Sequence, residues 1–146
     1  ALEERLRAST EFNKERAQAV ATNNQIILTF VNRVRLDFAR TWAAHVRRLG
    51  LTNWLVGATD EGALQGLIAS KTPCFSMRTN LPQGEWDWGS PSFKALGLHK
   101  VQLIYTALRW GLALVISPSS DFFLILVGVG ICFFSLMSLR TSLCSH

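Results

Sequence analysis

The sequence predicts an α/β fold, with a mainly parallel sheet covered by helices on both faces. Three observations carry the prediction. Four short apolar runs, at residues 25–31, 53–58, 73–77 and 112–116, have strand length and show no polar alternation, as expected of strands covered on both faces. A helical pattern stands in each gap between them, so strand and helix alternate along the chain. No internal repeat at a fixed period competes with that order.

The first run, Gln25-Ile-Ile-Leu-Thr-Phe-Val31, is rich in β-branched residues. Asn32 can cap the helix that follows, where Val34, Phe38, Trp42 and Val46 recur every four positions. Arg47 and Arg48 complement its C-terminal dipole, and Gly50 supplies the left-handed stop. After the second run, Thr59-Asp60-Glu61 places a cap and two acids at the start of a helix reaching about Ser70. A Gly/Pro/Trp loop follows the third run. Ser90-Pro91 then opens a long helix, with serine as cap and proline in its first turn, extending to Trp110 before Gly111. The right-handed crossover rule distributes these helices over the two faces of the sheet.

The 146 residues suffice for one ordinary domain with a core, and the 17% charged content argues against a disordered chain or a coiled-coil rod. The net charge of +5 is uneven: residues 1–50 carry nine Lys/Arg against five Asp/Glu, residues 51–100 four of each. Arg33, Arg35, Arg40, Arg47 and Arg48 spread around one helix without aromatic or glycine interleaving, which reads as a solvated face and gives no nucleic-acid partner. Cys74, Cys132 and Cys144 are odd in number and widely spaced, so neither a disulfide framework nor a zinc module fits. Residues 1–24 read as a modestly amphipathic helix with few large apolar groups, expected as a stem or linker. The charged start is unlike a secretory signal.

Phe122 to Leu139 is eighteen positions without a charge. As a helix it would cover roughly 27 Å, close to the ~30 Å of a bilayer's hydrocarbon. The expectation for residues 118–146 is therefore an apolar C-terminal helix able to enter a membrane. The alternative is a buried helix or a pair of strands against the sheet.

In an open parallel sheet, ligands bind beyond the carboxyl ends of the strands, where helix N-termini offer unpaired N–H groups to anions. That rule selects Thr29 and Asn32 after the first run, Thr59 and Asp60 after the second, Ser76 and Arg78 after the third, and Ser117 after the fourth. Asn32 and Asp60 are also ordinary helix caps, and both readings stay open. In the loop Gln83-Gly-Glu-Trp-Asp-Trp-Gly89, Trp86 and Trp88 offer faces on which a sugar ring can stack, or anchors that hold the loop to the core.

Three segments of the middle region resemble one family: Ile27-Leu-Thr-Phe-Val-Asn-Arg-Val-Arg-Leu-Asp-Phe-Ala39, Leu51-Thr-Asn-Trp-Leu-Val-Gly-Ala-Thr-Asp60, and Trp88-Gly-Ser-Pro-Ser-Phe93. They resemble the nucleotide-diphospho-sugar transferase domain of plant and green-algal glycosyltransferase family 77, in its arabinosyltransferase-like branch, over residues 25–117. The resemblance implies a Rossmann-like, GT-A type sheet, a UDP-sugar donor and a cell-wall glycoprotein or glycan acceptor. It also implies a Golgi membrane enzyme with a lumenal domain, and a divalent ion such as Mn2+. Carried over by position, Thr29, Asn32, Arg35, Asp60, Ser90 and Lys100 would bind the nucleotide-sugar, and Trp86 and Trp88 the acceptor.

The family places an Asp-x-Asp metal clasp after the fourth strand, where this sequence reads Val115-Ile-Ser-Pro-Ser-Ser-Asp121. Pro118 stands where the first acid is expected. The expectation is a chain cut short before the clasp, carrying the N-terminal half of the fold, binding no Mn2+ and inactive by itself. The competing readings are a non-catalytic, membrane-tethered binding module and an unrelated flavodoxin-like domain. The latter lacks a glycine-rich phosphate loop, since Asn32-Arg-Val-Arg35 stands in its place. No GxSxG is present, and Cys74 has no placed histidine, which leaves hydrolase chemistry without a motif.

Overall fold

The computed structural model describes residues 10–81 and 89–117, together with the backbone of 122–127 and 130–135. Four parallel strands, β1 (Gln25–Val31), β2 (Trp54–Ala58), β3 (Cys74–Ser76) and β4 (Ala113–Ile116), lie in the order β3-β2-β1-β4. Winding thus proceeds outward from β1 to β3 and then returns to the other side of β1. The switch point lies between the carboxyl ends of β1 and β4. Such an order is the Rossmann-like arrangement the alternating pattern predicts.

Each crossover is helical. A 3-10 turn (Arg33–Arg35) leads into α2 (Leu36–Arg48), which returns the chain to β2. The second crossover is α3 (Glu61–Ala69), and α4 (Pro91–Arg109) carries the chain from β3 to β4. A short α1 (Lys14–Val20) precedes the sheet.

The pleat of β1 divides the core. Ile26, Leu28 and Phe30 point to one side, where they pack with Leu55, Phe75, Leu114 and Ile116, beneath Ala17 of α1 and Ile104 and Ala107 of α4. Val31 belongs to the other side, with Val56, Ala58, and the inward faces of α2 (Ala39, Ala43, Val46) and α3 (Ala63, Leu64, Leu67). Both faces are buried, which is why β1 and β2 read as unbroken apolar runs.

One close approach sets the spacing of this sheet. Phe30, Gly57 and Phe75 lie side by side in register across β1, β2 and β3. A Cβ on Gly57 would stand 2.6 Å from Phe30 Cδ1 and 2.8 Å from Phe75 Cζ. The two rings fill the notch above the glycine and meet edge to face, with centroids 6.3 Å apart.

Two regions differ in character from the sequence expectation. Within the segment expected as a stem, residues 10–21 pack onto the sheet. The Ser76 N–H donates to the Thr10 carbonyl at 2.8 Å, extending the outer edge of β3. Phe12 lies 4.7 Å from Phe75 and 5.5 Å from Trp110, centroid to centroid, and Ala17 is fully buried. The Arg16 guanidinium donates to the Cys74 carbonyl. Counting large apolar groups undervalued this segment, because one aromatic ring and one alanine suffice to dock a two-turn helix.

The second is a correction. The described residues of the run 122–139 show no helix where an apolar one is expected. The run instead contains β5 (Phe122–Val127) and β6 (Gly130–Ser135), which continue the sheet antiparallel beyond β4. Gly128 and Gly130 interrupt the run near its middle, and Phe, Ile and Val favour strands. Pairing with β4 satisfies backbone groups that would otherwise lie at a sheet edge. No helix among the described residues is long and apolar enough to cross a membrane.

Gly57→Ala should destabilise the chain by about 1–3 kcal/mol through overpacking of the two rings. Gly97, in the middle of α4 with no atom within 4 Å of a built Cβ, is the contrast. Gly97→Ala should stabilise by up to about 1 kcal/mol through helix propensity. Urea denaturation of the two variants measures both signs.

Candidate functional site

The carboxyl edge of the sheet is built mainly from backbone bonds. At the end of β2, the Thr59 N–H and Oγ1–H both donate to the Val31 carbonyl, at 2.9 and 3.2 Å, clamping the exits of β1 and β2 together. The Thr59 carbonyl in turn accepts from Thr79 Oγ1 at 2.8 Å. Thr79 is buried, so the loop after β3 folds back over this edge. Thr79 escaped the sequence reading because no spacing rule marks a loop threonine three residues beyond a strand.

Asp60 has both carboxylate oxygens engaged. Oδ1 accepts the Ala63 N–H at 2.7 Å as the cap of α3, and Oδ2 accepts the Arg33 N–H at 3.0 Å. One side chain thus ties the first turn of α3 to the exit of β1. Gly62 lets the two approach, since a Cβ there would stand 2.7 Å from Arg33 Cδ. Asn32 starts the 3-10 turn, with Oδ1 accepting the Arg35 N–H at 3.0 Å. Asn32 and Asp60 therefore stand on neighbouring segments of one rim.

Between this rim and α4 lies a pocket of about 60 Å³, lined by Phe30, Val31, Asn32, Arg35, Thr59, Leu96 and Lys100. Lys100 reaches it from the third turn of α4 and places Nζ 5.2 Å from the centre of the Phe30 ring. Burial lowers the pKa of its ammonium from the ordinary lysine value. Among the described residues, the pocket lining includes two basic side chains, Arg35 and Lys100.

The structure thus brings Asn32, Arg35 and Lys100 together. The other sequence candidates lie elsewhere. Thr29 is fully buried in β1 opposite Val56, and its Oγ1 has no hydrogen-bond partner among the described residues. Asp60 adjoins the pocket as a cap without lining it. Ser90 caps α4, its Oγ accepting the Phe93 N–H at 3.2 Å, and does not line the pocket. Trp86 and Trp88 fall outside the described residues. At the switch point, Ser117 Oγ accepts from Trp42 Nε1–H at 2.9 Å, on the α2 side of the sheet. Arg78 takes a left-handed backbone (φ 49°), with its N–H on Ser76 Oγ at 3.2 Å. Its guanidinium lies 3.8 Å from the Glu11 carboxylate, an exposed pair of little energetic weight.

Among the described residues no group of three His, Cys, Asp or Glu side chains gathers, and both oxygens of Asp60 face backbone N–H donors. Cys74 is buried and packed in the core, and burial raises its thiol pKa, with the nearby Arg16 charge opposing.

Fold and pocket together define a Rossmann-like α/β unit with a small crevice at the carboxyl edge of its parallel strands. Over 93 residues, 64% of its length, the chain is 40% identical to the arabinosyltransferase XEG113 of Arabidopsis thaliana. The chain spans 14% of that protein's length. This is a relationship to a glycosyltransferase, consistent with the parallel sheet. No family model matches the chain, and no solved structure matches it.

If Asp60 serves as a double cap, the order of stability should be wild type, then Asp60→Asn, then Asp60→Ala. The alanine variant should lose about 1–2 kcal/mol. Asparagine retains one acceptor oxygen and places an N–H2 against the second backbone donor. Thermal or urea unfolding of the three proteins resolves the order.

Proposed function

We propose that this chain carries the donor-binding part of a glycosyltransferase of the family 77 type, taking a UDP-sugar, with arabinose as the sugar suggested by the relative. The observation that carries the reading is the convergence of Asn32, Arg35, Thr59 and Lys100 on one pocket at the carboxyl ends of β1 and β2. That is the region where a doubly wound sheet receives a nucleotide. The 40% identity to an arabinosyltransferase supports the same reading independently.

In this reading the rim at Asn32 faces the nucleoside, and Arg35 and Lys100 meet the charge of the diphosphate. Asp60 acts by holding the rim in place. Ser90 sets the start of α4 and hence the reach of Lys100. Trp86 and Trp88 contact the acceptor, a cell-wall glycoprotein or glycan. The working location is the Golgi lumen. The residues after β4, Ser117-Pro118-Ser119-Ser120-Asp121, lack paired acids one residue apart. The chain by itself should therefore bind donor far better than it transfers sugar.

Thermal unfolding with and without UDP tests the reading. A ligand at 100 times its Kd stabilises the folded state by about 2.7 kcal/mol, a rise in Tm of roughly 9 °C for a domain of this size. UDP should give such a shift at millimolar concentration, and free uridine a smaller one. No shift with UDP would overturn the donor reading and leave a non-catalytic binding module.

A further inference from the structure

The outward side of α4 carries an apolar row that the fold does not use. Leu98, Val101 and Tyr105 are 59%, 61% and 62% exposed. Their spacing of three and four residues puts them on one line along the helix. At about 100° per residue, that line lies roughly half a turn from Leu96, Lys100 and Ala107, which face the pocket or the core. Of the eight large hydrophobic side chains exposed among the described residues, these three share one row. The other five are divided among the 3-10 turn, the loop after α2, α3 and β4.

Charge of one sign brackets the row. Lys94 stands one turn before Leu98, Arg109 one turn after Tyr105, and both are exposed. The Arg109 guanidinium carbon lies 5.9 Å from the centre of the Tyr105 ring. No Asp or Glu occurs in α4. The two cations are about 22 Å apart along the helix axis.

These facts disfavour two kinds of occupant. Two copies paired through the row would set Lys94 beside Arg109 if antiparallel, and each cation on its counterpart if parallel. Like charges meet in both arrangements. A stable complex with another protein engages about 20–30 residues a side, and three side chains fall far short of that. A bilayer surface requires less. Shallow insertion of a few apolar side chains suffices when flanking Lys or Arg reach headgroup phosphates, and tyrosine is enriched at that depth.

We propose that Leu98, Val101 and Tyr105, with Lys94 and Arg109 at the ends of their row, dock α4 on the surface of an anionic phospholipid bilayer. The three apolar side chains enter the boundary between headgroups and acyl chains. Lys94 and Arg109 meet headgroup phosphates. The inference does not rest on the donor reading, because docking uses the side of α4 turned away from Lys100.

The test is co-sedimentation of the 146-residue chain with vesicles of phosphatidylcholine alone, and of phosphatidylcholine mixed equally with phosphatidylglycerol. Wild type should partition onto the mixed vesicles and more weakly onto the neutral ones. Added salt should lower the first partition. Leu98→Gln combined with Val101→Gln should lower it by about tenfold or more, through the loss of two apolar insertions. Both positions are exposed, so the urea midpoint should stay near that of wild type, which separates loss of docking from loss of the fold. Lys94→Gln and Arg109→Gln should each weaken partition onto the mixed vesicles by about fivefold.

Insertion supplies a readout that the general attraction of a chain of net charge +5 would not move. In vesicles with brominated acyl chains, Val101→Trp should be quenched beyond the native tryptophans. Arg40→Trp, on the exposed side of α2, should not be. Equal partition of wild type and the Leu98, Val101 double variant would overturn the proposal. An equally large loss on Arg40→Gln combined with Arg48→Gln would do the same, as would the absence of partition onto either vesicle. Dimerisation of the free chain that the double variant abolishes would assign the row to a second copy, and the lipid reading would fall.

Discussion

The contact on which most of this molecule depends is the meeting of Phe30 and Phe75 over Gly57. Three neighbouring strands bring three side chains into line at one level of the sheet. Two of them are aromatic, and there is room for the rings only because the third is a hydrogen atom. Phe75 also receives Phe12, which joins the segment before α1 to the core, and Phe12 reaches on to Trp110 at the end of α4. Phe30 carries the ammonium of Lys100. A single small residue thus fixes strand spacing, docking of the N-terminal segment and the position of a cation at the pocket.

Polar side chains at the carboxyl edge fall into two groups by what occupies their hydrogen-bonding atoms. Asp60, Ser90 and Thr59 bond to backbone N–H or carbonyl groups and hold the loops in register. Lys100 sits in the pocket lining with its ammonium over an aromatic face and, among the described residues, bonds to no backbone group there. Residue type alone cannot separate these groups. Serine, aspartate and asparagine are favoured at helix starts because their short side chains reach the first N–H groups, and the same reach suits a bound anion. What distinguishes them is whether the oxygen is already used.

For that reason the fold was more legible than the site. The strands β1 to β4 announced themselves as unbroken apolar runs because both faces of the sheet are covered. The starts of α3 and α4 were visible in Asp60 and Ser90 because capping is a local interaction, written within four residues. Placing Lys100 against Phe30 requires a contact across seventy positions, and Thr79 meets Thr59 across twenty. Neither is encoded in spacing. The run after Asp121 shows the same limit from the other side. Its apolarity was plain, yet helix and strand pair both bury such a run, and only the free edge of β4 decides between them.

Burial of Lys100 has a thermodynamic consequence that runs against stability. Desolvation lowers its pKa in the folded chain relative to the unfolded one. Between the lowered value and the ordinary lysine value the unfolded chain binds more protons, so stability rises with pH across that window. Below that window the lysine is charged in both states, and the full desolvation cost is present. The seat on Phe30 offsets part of that cost, and the remainder persists while the pocket is empty. An anion in the pocket would restore to the ammonium the partner that water supplied in the unfolded chain. Retaining a desolvated cation where a methionine of similar length would pack more favourably makes sense for a group whose compensation arrives with a ligand, and little sense for one that serves the core.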